Sequence, residues 1–191
     1  MRKKYFVHEK ALVETKGIGI NTRIWAFTHI MNKVKVGDNC NIGEHCFIET
    51  GVTIGNNVTI KNGISLWNGI IIEDNVFLGP NAVLTNDLRP RSKFHDYKIL
   101  KTIIKRGTTI GANATIICGL TLGEYSFVGA GSVVTRSVSD FTLVYGNPAR
   151  IRGYVCECGQ KLIFCEDIAL CACGKEYKYV NNQVDKIVKE I

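Results

Sequence analysis

The sequence predicts an all-β protein built as a parallel β-helix, because three columns of similar residues recur along the chain with a period of six. Aliphatic residues occupy every sixth position from Ile18 to Leu84, and the series resumes from Ile104 to Val134. Small or β-branched residues stand four positions after each of them, as at Thr22. An amphipathic helix requires apolar residues at i, i+3, i+4 and i+7, and a half-buried strand requires simple alternation, so neither element explains this period.

A third column predicts the corners of the β-helix. Asn or Gly stands three positions after most of the aliphatic residues, and these two residue types adopt left-handed backbone at the lowest cost. The corner residues are Asn21, Asn39, Gly51, Asn57, Gly63, Gly69, Asn75, Asn81, Gly107, Asn113, Gly119 and Gly131. Each six-residue unit is therefore a short strand followed by a tight corner, and three corners close a triangle. Stacked about 4.8 Å apart, such coils of roughly eighteen residues would number about six.

The composition predicts one domain with an appendage. The chain has 191 residues, of which 46% are hydrophobic, and we expect residues 1–150 to form the β-helix and residues 151–191 to form a tail. The basic start of the chain contains no apolar run of signal-peptide length, and no later segment approaches the roughly 18 apolar residues of a membrane span. We therefore expect a cytoplasmic protein with no membrane contact.

The charge distribution predicts an anionic partner. The net charge is +7, and residues 84–106 contain seven basic side chains against two acidic ones. A local patch of this kind favours a phosphorylated small molecule, because a nucleic-acid track usually spreads basic and aromatic residues over a wider face. We therefore expect no nucleic-acid partner.

Residues 85–103 interrupt the repeat, and the series of aliphatic residues resumes out of phase. The inward ladders fill the interior of a β-helix, so function has to lie on its outside, where long loops supply walls. Phe94, Tyr97, Ile99 and Leu100 give this loop more apolar surface than a disordered segment usually has. We interpret it as an active-site loop, and the alternative is a tolerated surface insertion.

Four segments carry a resemblance to a known family: TRIWAFTHI (22–30), IKNGISLWNGIIIEDNVFLGPNAVLTNDLRPR (60–91), TTIGANATIICGLTLGEYSFVGAGSVV (108–134) and YGNPARIRGYVCECG (145–159). From residue 8 to about residue 165 the sequence is similar to bacterial nucleotide-sugar 3-N-acetyltransferases, which belong to the hexapeptide-repeat acyltransferases. The resemblance implies a left-handed parallel β-helix that assembles as a homotrimer. It also implies that acetyl-CoA lies in a groove between subunits and that the acceptor is a dTDP- or UDP-linked 3-amino sugar. Such products serve surface polysaccharide or glycan synthesis.

The resemblance also implies a catalytic residue. Acyl transfer from a thioester to an amine needs a positioned amine, a stabilised oxyanion and a proton acceptor, and the departing thiolate can accept the proton. Asn86 matches the family asparagine that orients the amine, and the alternative is that Asn86 caps the turn where the loop departs. His95, within the loop, is the strongest rival as a general base. Such a base would suit O-acetylation of a sugar or serine, and a third hypothesis is a non-catalytic scaffold.

The remaining candidates are binding residues. Arg91 and Lys61 suit a pyrophosphate, and the family segments add His29 and Asn62 on the substrate side. Small outward residues after the loop would let pantetheine approach the backbone, and Arg150 could meet the CoA phosphates. The predicted cofactor-binding residues are Gly111, Asn113, Ala130 and Arg150. We expect His45 to be solvated or at a subunit interface and His8 to have no role, and the histidines show no pattern for a three-histidine zinc site.

The tail carries two similar C-x-C-G segments. Their cysteines are Cys156, Cys158, Cys171 and Cys173. Four thiolates suit tetrahedral zinc, although the C-x-C spacing is tighter than the usual C-x-x-C, and reduced free thiols are the alternative. Beyond them, residues 175–191 predict a strand and a short helix that fold back over the open end of the β-helix.

Overall fold

Short parallel strands stack into a triangular β-helix in the computed structural model of the chain, which describes residues 4–93, 98–181 and 183–187. Each of these strands has two or three residues, and a corner follows each strand. In chain order they are β1 (Phe6–Val7), β2 (Leu12–Val13), β3 (Gly17–Ile18), β4 (Arg23–Ile24), β5 (His29–Ile30), β6 (Lys35–Val36), β7 (Asn41–Ile42), β8 (Phe47–Ile48), β9 (Thr53–Ile54), β10 (Thr59–Ile60), β11 (Ser65–Leu66), β12 (Ile70–Ile72), β13 (Phe77–Leu78), β14 (Val83–Leu84), β15 (Thr102–Ile104), β16 (Thr109–Ile110), β17 (Thr115–Ile116), β18 (Thr121–Leu122), β19 (Phe127–Val128) and β20 (Val133–Val134).

The strands form three faces. Face A contains β1, β4, β7, β10, β13, β16 and β19; face B contains β2, β5, β8 and β11, continued by β14, β17 and β20; face C contains β3, β6, β9, β12, β15 and β18. All these strand pairs are parallel, and successive coils are generally eighteen residues apart, as where Thr59 pairs with Phe77. Across the loop the separation rises to 32 residues, as where Phe77 pairs with Thr109. The predicted left-handed parallel β-helix is the fold of this chain, and we name its corners A–B, B–C and C–A.

Both inward columns are buried as predicted. The aliphatic column includes Ile24, Ile42, Ile60 and Leu78, all 0% exposed. The small column contains hydroxyls and thiols that find partners on the backbone of the next coil: the Thr28 hydroxyl donates to a carbonyl at 2.6 Å. Burying a polar group costs little when it is hydrogen-bonded. The polar residues of the small column are therefore buried at little cost in stability.

The corners adopt left-handed backbone whichever residue stands there. Every Asn and Gly of the predicted corner column has a positive φ, and so do Phe27, Lys33, His45 and Tyr125, which occupy the same position in other units. A bulky residue in this region is strained. The stacked register of the coil therefore imposes the conformation, and Asn and Gly lower its cost.

The residues from Thr142 onwards, which we call the tail from here, form antiparallel strand pairs in two sheets. Its strands are β21 (Thr142–Gly146), β22 (Ala149–Val155), β23 (Lys161–Leu162), β24 (Ile168–Leu170), β25 (Glu176–Val180) and β26 (Gln183–Ile187). Strand β21 adds to the end of face A beside β19, and β22 and β23 continue that sheet, whereas β24, β25 and β26 form a sheet of their own. A second small core lies here. It contains Phe141, Cys156, Leu162, Ala169, Cys171, Tyr177 and Val184.

The predicted C-terminal helix is wrong over Gln183–Ile187, which form strand β26. Residues 183–185 line a cleft with Lys105 and Thr121, so β26 lies beside the C–A corner and not over the open end of the coil. Among residues 4–93, 98–181 and 183–187 no helix is present, and so none that could cross a membrane.

Candidate functional site

The loop leaves and re-enters the β-helix at the B–C corner. Its two ends meet where the Leu100 amide donates to the Asn86 carbonyl at 3.4 Å. Ile99 and Leu100 cover the glycines of the adjacent coils: a Cβ on Gly69 would lie 2.6 Å from the Ile99 side chain, and one on Gly119 would lie 3.4 Å from Leu100. The apolar return segment of the loop is thus packed on the corner.

Asn86 lies at the base of the loop and is half-buried. Asp87, and not Asn86, forms the turn there, because the Asp87 Oδ1 accepts the Arg89 amide at 2.8 Å. Among the residues that the structure describes, the Asn86 side-chain amide has no hydrogen-bond partner. An Asn amide offers two donors and an acceptor. Asn86 is therefore able to bind a ligand with all of them.

The other predicted site residues of the loop are Arg91 and His95. The Arg91 side chain is exposed, and its Nη1 donates to the Pro90 carbonyl at 3.0 Å. His95 falls outside the described residues. Arg91 can thus reach a ligand that lies beside the B–C corner.

Five of the predicted binding residues share the opposite edge of face B, the A–B corner. They are Lys61, Asn62, Gly111, Asn113 and Ala130. Backbone hydrogen bonds link successive coils along this edge, as from the Asn113 amide to the Pro80 carbonyl at 3.0 Å. The Asn62 Oδ1 accepts the Glu44 amide at 3.1 Å, so this side chain caps the coil below, while Lys61 is exposed.

The upper part of the A–B corner is bare backbone. A Cβ on Gly111 would lie 2.5 Å from the Ala130 amide nitrogen, and one on Gly129 would lie 2.8 Å from the Tyr145 Cβ. These close approaches require glycine. They leave a strip beside face B where an extended chain can contact the backbone.

His29 lies on face B within a group of side chains that sequence reasoning missed. Its Nε2 is 2.7 Å from the Glu14 Oε1, and its ring meets the Phe47 ring edge-on at 5.5 Å. Phe47 in turn contacts Trp67 at 5.6 Å. The hydrogen bond with His29 lowers the pKa of Glu14 below its ordinary value of 4.5. His29 and Phe47 are eighteen positions apart, so the register places them side by side, but no repeat of residue type marks Glu14 or Trp67.

His29 and Asn86 do not share one reaction centre within a chain. The strand of His29 is three coils below that of Val83, which is about 14 Å at the usual strand spacing. His29 can therefore contact the same ligand as Asn86 only if that ligand is extended along the face.

Arg150 lies on β22, in the sheet that extends face A beyond the last coil. It lines a cleft there with Val134 and Arg136, and its Nη1 donates to the Ala149 carbonyl at 3.0 Å. Arg136 was not predicted, because its corner position shows no residue-type repeat. Two guanidinium groups at one cleft suit a phosphorylated ligand.

Two further predicted groups lie away from this centre. His45 stacks on Phe27 at 4.9 Å at the lower A–B corner. The four tail cysteines come together, with their Sγ atoms all within 4.8 Å of one another. They neighbour Gly107 and Phe127, at the C–A corner and on face A.

Face B and its two corners thus carry most of the predicted catalytic and binding residues that the structure describes, whereas Arg150 and the four cysteines lie elsewhere. The loop with Asn86 borders one edge, the bare backbone strip borders the other, and His29 and Phe47 lie on the face between them. Basic side chains occur on both edges. This arrangement suits a pair of extended, phosphorylated ligands that meet beside the loop.

Two family profiles match the repeat. One is described as the hexapeptide repeat of succinyl-transferase and matches residues 33–67; the other is described as bacterial transferase hexapeptide (six repeats) and matches residues 51–86 and 101–136. The second match is interrupted at residues 87–100, within the loop. The loop is therefore an insertion into an otherwise regular family repeat.

A curated relative and two solved structures resemble the whole β-helix. The chain is 59% identical over 183 residues to the dTDP-3-amino-3,6-dideoxy-α-D-galactopyranose 3-N-acetyltransferase of Aneurinibacillus thermoaerophilus, covering 96% of this chain and 95% of that one. A putative acetyltransferase from Bacillus cereus aligns with TM-score 0.55 and 22% identity over 81% of this chain and 80% of its own. A variant of the Bacillus cereus N-acyltransferase AntD, solved with dTDP and coenzyme A, aligns with TM-score 0.52 and 23% identity over 80% and 82%. At these identities the two structures support the fold alone.

Proposed function

The chain belongs to the bacterial hexapeptide-repeat acetyltransferases, and from this premise we propose that it transfers the acetyl group of acetyl-CoA to the 3-amino group of a dTDP-linked 3-amino-3,6-dideoxy sugar. The observation that carries this proposal is the 59% identity to a curated enzyme of that activity over nearly the full length of both chains. The name of that relative favours dTDP over UDP as the nucleotide. The Asn86 amide at the base of the loop, which has no hydrogen-bond partner among the described residues, supports the same chemistry.

The reaction needs no protein base. The neutral amine attacks the thioester carbon and forms a C–N bond, and the resulting tetrahedral intermediate collapses as the C–S bond breaks. The thiolate of CoA leaves and takes the proton that the nitrogen loses, so the products are the acetamido sugar and CoA. The protein supplies position and donors for the oxyanion.

We assign to Asn86 the role of orienting the amine of the sugar. Its side-chain oxygen can accept a hydrogen bond from the amine and so aim the nitrogen lone pair at the thioester. Two features of the described residues support this role. The turn that Asn86 might have capped is formed by Asp87, and the loop packs against its own base through Ile99 and Leu100.

The ligands would lie along face B. We assign the pantetheine of CoA to the bare strip at Gly111, Asn113 and Ala130, and its phosphates to the cleft of Arg136 and Arg150. The nucleotide sugar would extend the other way, towards His29 and Phe47, where an aromatic surface can stack with a base. Lys61 and Arg91, on the two edges, suit its pyrophosphate.

A homotrimer would complete this site. Face B is open on one side, whereas ligands of this kind bind in clefts that bury most of their surface. A second copy of the chain packed beside face B would supply the missing wall. We therefore propose that the ligands bind between subunits.

The test is a product-forming assay with purified protein, acetyl-CoA and dTDP-3-amino-3,6-dideoxygalactose. We expect release of free CoA thiol and a nucleotide sugar whose mass has risen by one acetyl group. Asn86→Ala should lower kcat about 100-fold or more, since loss of one positioning or oxyanion contact typically has this effect. Thr53→Ala, an exposed change on face C, should leave it unaltered.

Two results would overturn the proposal. A protein that binds acetyl-CoA but acetylates only hydroxyl groups would be an O-acetyltransferase. A protein that shows no CoA binding by calorimetry would be a scaffold. If Asn86→Ala turns over at the wild-type rate, the assignment of the amine contact fails, although the activity itself stands.

A further inference from the structure

We propose that Cys156, Cys158, Cys171 and Cys173 bind one zinc ion, which joins the tail's two sheets and is separate from the acetyl-transfer site. The spacing of the sulfur atoms carries this inference. Cys156 and Cys173 have their Sγ atoms 3.5 Å apart, as do Cys158 and Cys171, and all four Sγ atoms lie within 4.8 Å of one another.

This spacing matches an ion at the centre of the four sulfurs. Zinc–sulfur bonds of about 2.3 Å in a tetrahedron place the sulfur atoms roughly 3.8 Å apart. A disulfide requires about 2.05 Å between sulfur atoms. The four thiols are therefore arranged around a common point and are not paired covalently.

Two matching turns present the sulfurs. In the first, the Gly159 amide donates to the Cys156 carbonyl at 2.8 Å; in the second, the Gly174 amide donates to the Cys171 carbonyl, also at 2.8 Å. Both glycines have left-handed backbone, with φ of 86° and 85°. The two sulfur contacts of 3.5 Å each run from one turn to the other. The tight C-x-C spacing therefore offers no obstacle, because each turn supplies two corners of one tetrahedron.

The surroundings suit a cluster of thiolates. The fully buried Tyr177 places its hydroxyl 3.1 Å from the Cys156 Sγ, and that hydroxyl also accepts the Glu157 amide. Zinc with four thiolates carries a net charge of −2, so cations should be near. Lys175, between the second turn and β25, and Lys186, on β26, both reach this region and pair with Glu157.

The ion would have a structural task. Cys156 and Cys158 connect β22 to β23 in the sheet that extends face A, whereas Cys171 and Cys173 connect β24 to β25 in the separate sheet. The tail core that joins these sheets is small. Small units with little buried surface commonly rely on a metal or disulfides. With four protein ligands the site is closed, as in structural zinc sites, and leaves no position for a substrate.

The first measurement is the metal content of the full-length protein, purified without a metal-affinity step. We expect about one zinc per chain, and replacement by Co²⁺ should give the thiolate charge-transfer and visible bands of tetrahedral four-sulfur ligation. Cys158→Ser and Cys173→Ser should lower the zinc content to about a tenth or less. The matched control is Cys165→Ser, an exposed tail cysteine outside the cluster, which should keep its zinc.

If the variants of the zinc ligands fail to fold, the proposal can still be tested on the wild-type protein. Titration with a mercurial should release the zinc after about four thiols have reacted. Metal-free protein whose thiols are all reactive would overturn the proposal. So would an intact mass under non-reducing conditions that shows two disulfides. These outcomes are distinct from failure of the proposed transferase activity, because none of them depends on turnover.

Discussion

The β-helix of residues 6–138 and the tail of residues 142–187 are stabilised in different ways. In the β-helix every coil repeats the one below, and its inward aliphatic residues form ladders that are almost wholly inaccessible. The tail has no repeat, and its core is a handful of residues around Tyr177 and two of the cysteines. The comparison teaches that a repeated register supplies stability coil by coil. A short irregular segment has no such repeat and needs a local cross-link, such as a bound metal ion.

Metal removal should separate the two regions most strongly. If zinc joins the tail sheets, a chelator should expose β24, β25 and β26 to solvent while the ladders of β8 to β11 keep their protection. Hydrogen exchange measured by mass spectrometry checks this. We expect tail amides to lose most of their protection on removal of the ion.

The control for this experiment is re-addition of Zn²⁺, which should restore protection in the tail alone. Collapse of both regions together would show that the tail is an integral part of the coil. Unchanged hydrogen exchange in both regions would show that zinc does not stabilise the tail.

A cavity in the ladder should have the next largest effect. Ile60 is 0% exposed in the β-helix and Ile163 is 82% exposed in the tail. Ile60→Ala should lower the free energy of unfolding by about 2–5 kcal/mol, through lost burial and the cavity left behind. Ile163→Ala should change it by less than about 0.5 kcal/mol. Urea unfolding at one fixed protein concentration measures both, since assembly would make stability depend on concentration.

Equal losses in these two variants would contradict the difference in burial between the regions. A small loss for Ile60→Ala alone would mean that the ladder collapses around the gap.

The corner conformation predicts a pair of substitutions with opposite signs. Lys33 is an exposed corner residue with φ of 59°, whereas Lys35 is exposed on strand β6. Lys33→Gly should raise the free energy of unfolding by up to about 1 kcal/mol, because it relieves left-handed strain. Lys35→Gly should lower it by about 0.5–1 kcal/mol, because glycine costs entropy in a strand. Thermal unfolding compares them, and equal signs would show that the corner is not strained.

The β-helix could be predicted in detail because each residue's environment is set by its column. The columns predicted the inward residues and the corners, and position alone explains why even Phe27 and Tyr125 have positive φ. The periodicity did not predict the first coil, because Val13 and Ile18 are five positions apart and not six. The tail offered only a short apolar pattern. Val184 and Ile187 are three positions apart, a spacing typical of a helix and not of a half-buried strand. Pairing with β25 decides for the strand.

The site was only partly predictable for a related reason. Asn86 and the A–B corner residues came from motif segments, which carry family information. Glu14, Trp67 and Arg136 face outward, where no packing rule restricts the residue type, so periodicity gives no signal for them. Their proximity to the predicted residues follows from the eighteen-residue register, which places outward side chains of successive coils side by side.

The smallest effect is expected from substitution of Glu14. This substitution tests whether the contact between Glu14 and His29 on face B contributes to binding of the nucleotide sugar. Glu14→Gln keeps an acceptor for His29 but removes the charge. If His29 binds the nucleotide, we expect KM for the nucleotide sugar to rise by roughly two- to five-fold with kcat unchanged, because only binding interactions are altered. Steady-state kinetics measure this, and Glu9→Gln, an exposed change of the same charge in the same coil, is the control.

The pH dependence of stability gives a second readout of the same contact. Because the pKa of Glu14 is lowered from 4.5, its paired carboxylate stabilises the fold fully above that pH and is lost only as the pH falls through the lower folded value. The difference in Tm between wild type and Glu14→Gln should therefore fade as the pH falls below 4.5. A difference that survives unchanged in strongly acidic solution would show that the ionised carboxylate is not its source. The binding role of this end of face B would then rest on Phe47 and Trp67 alone.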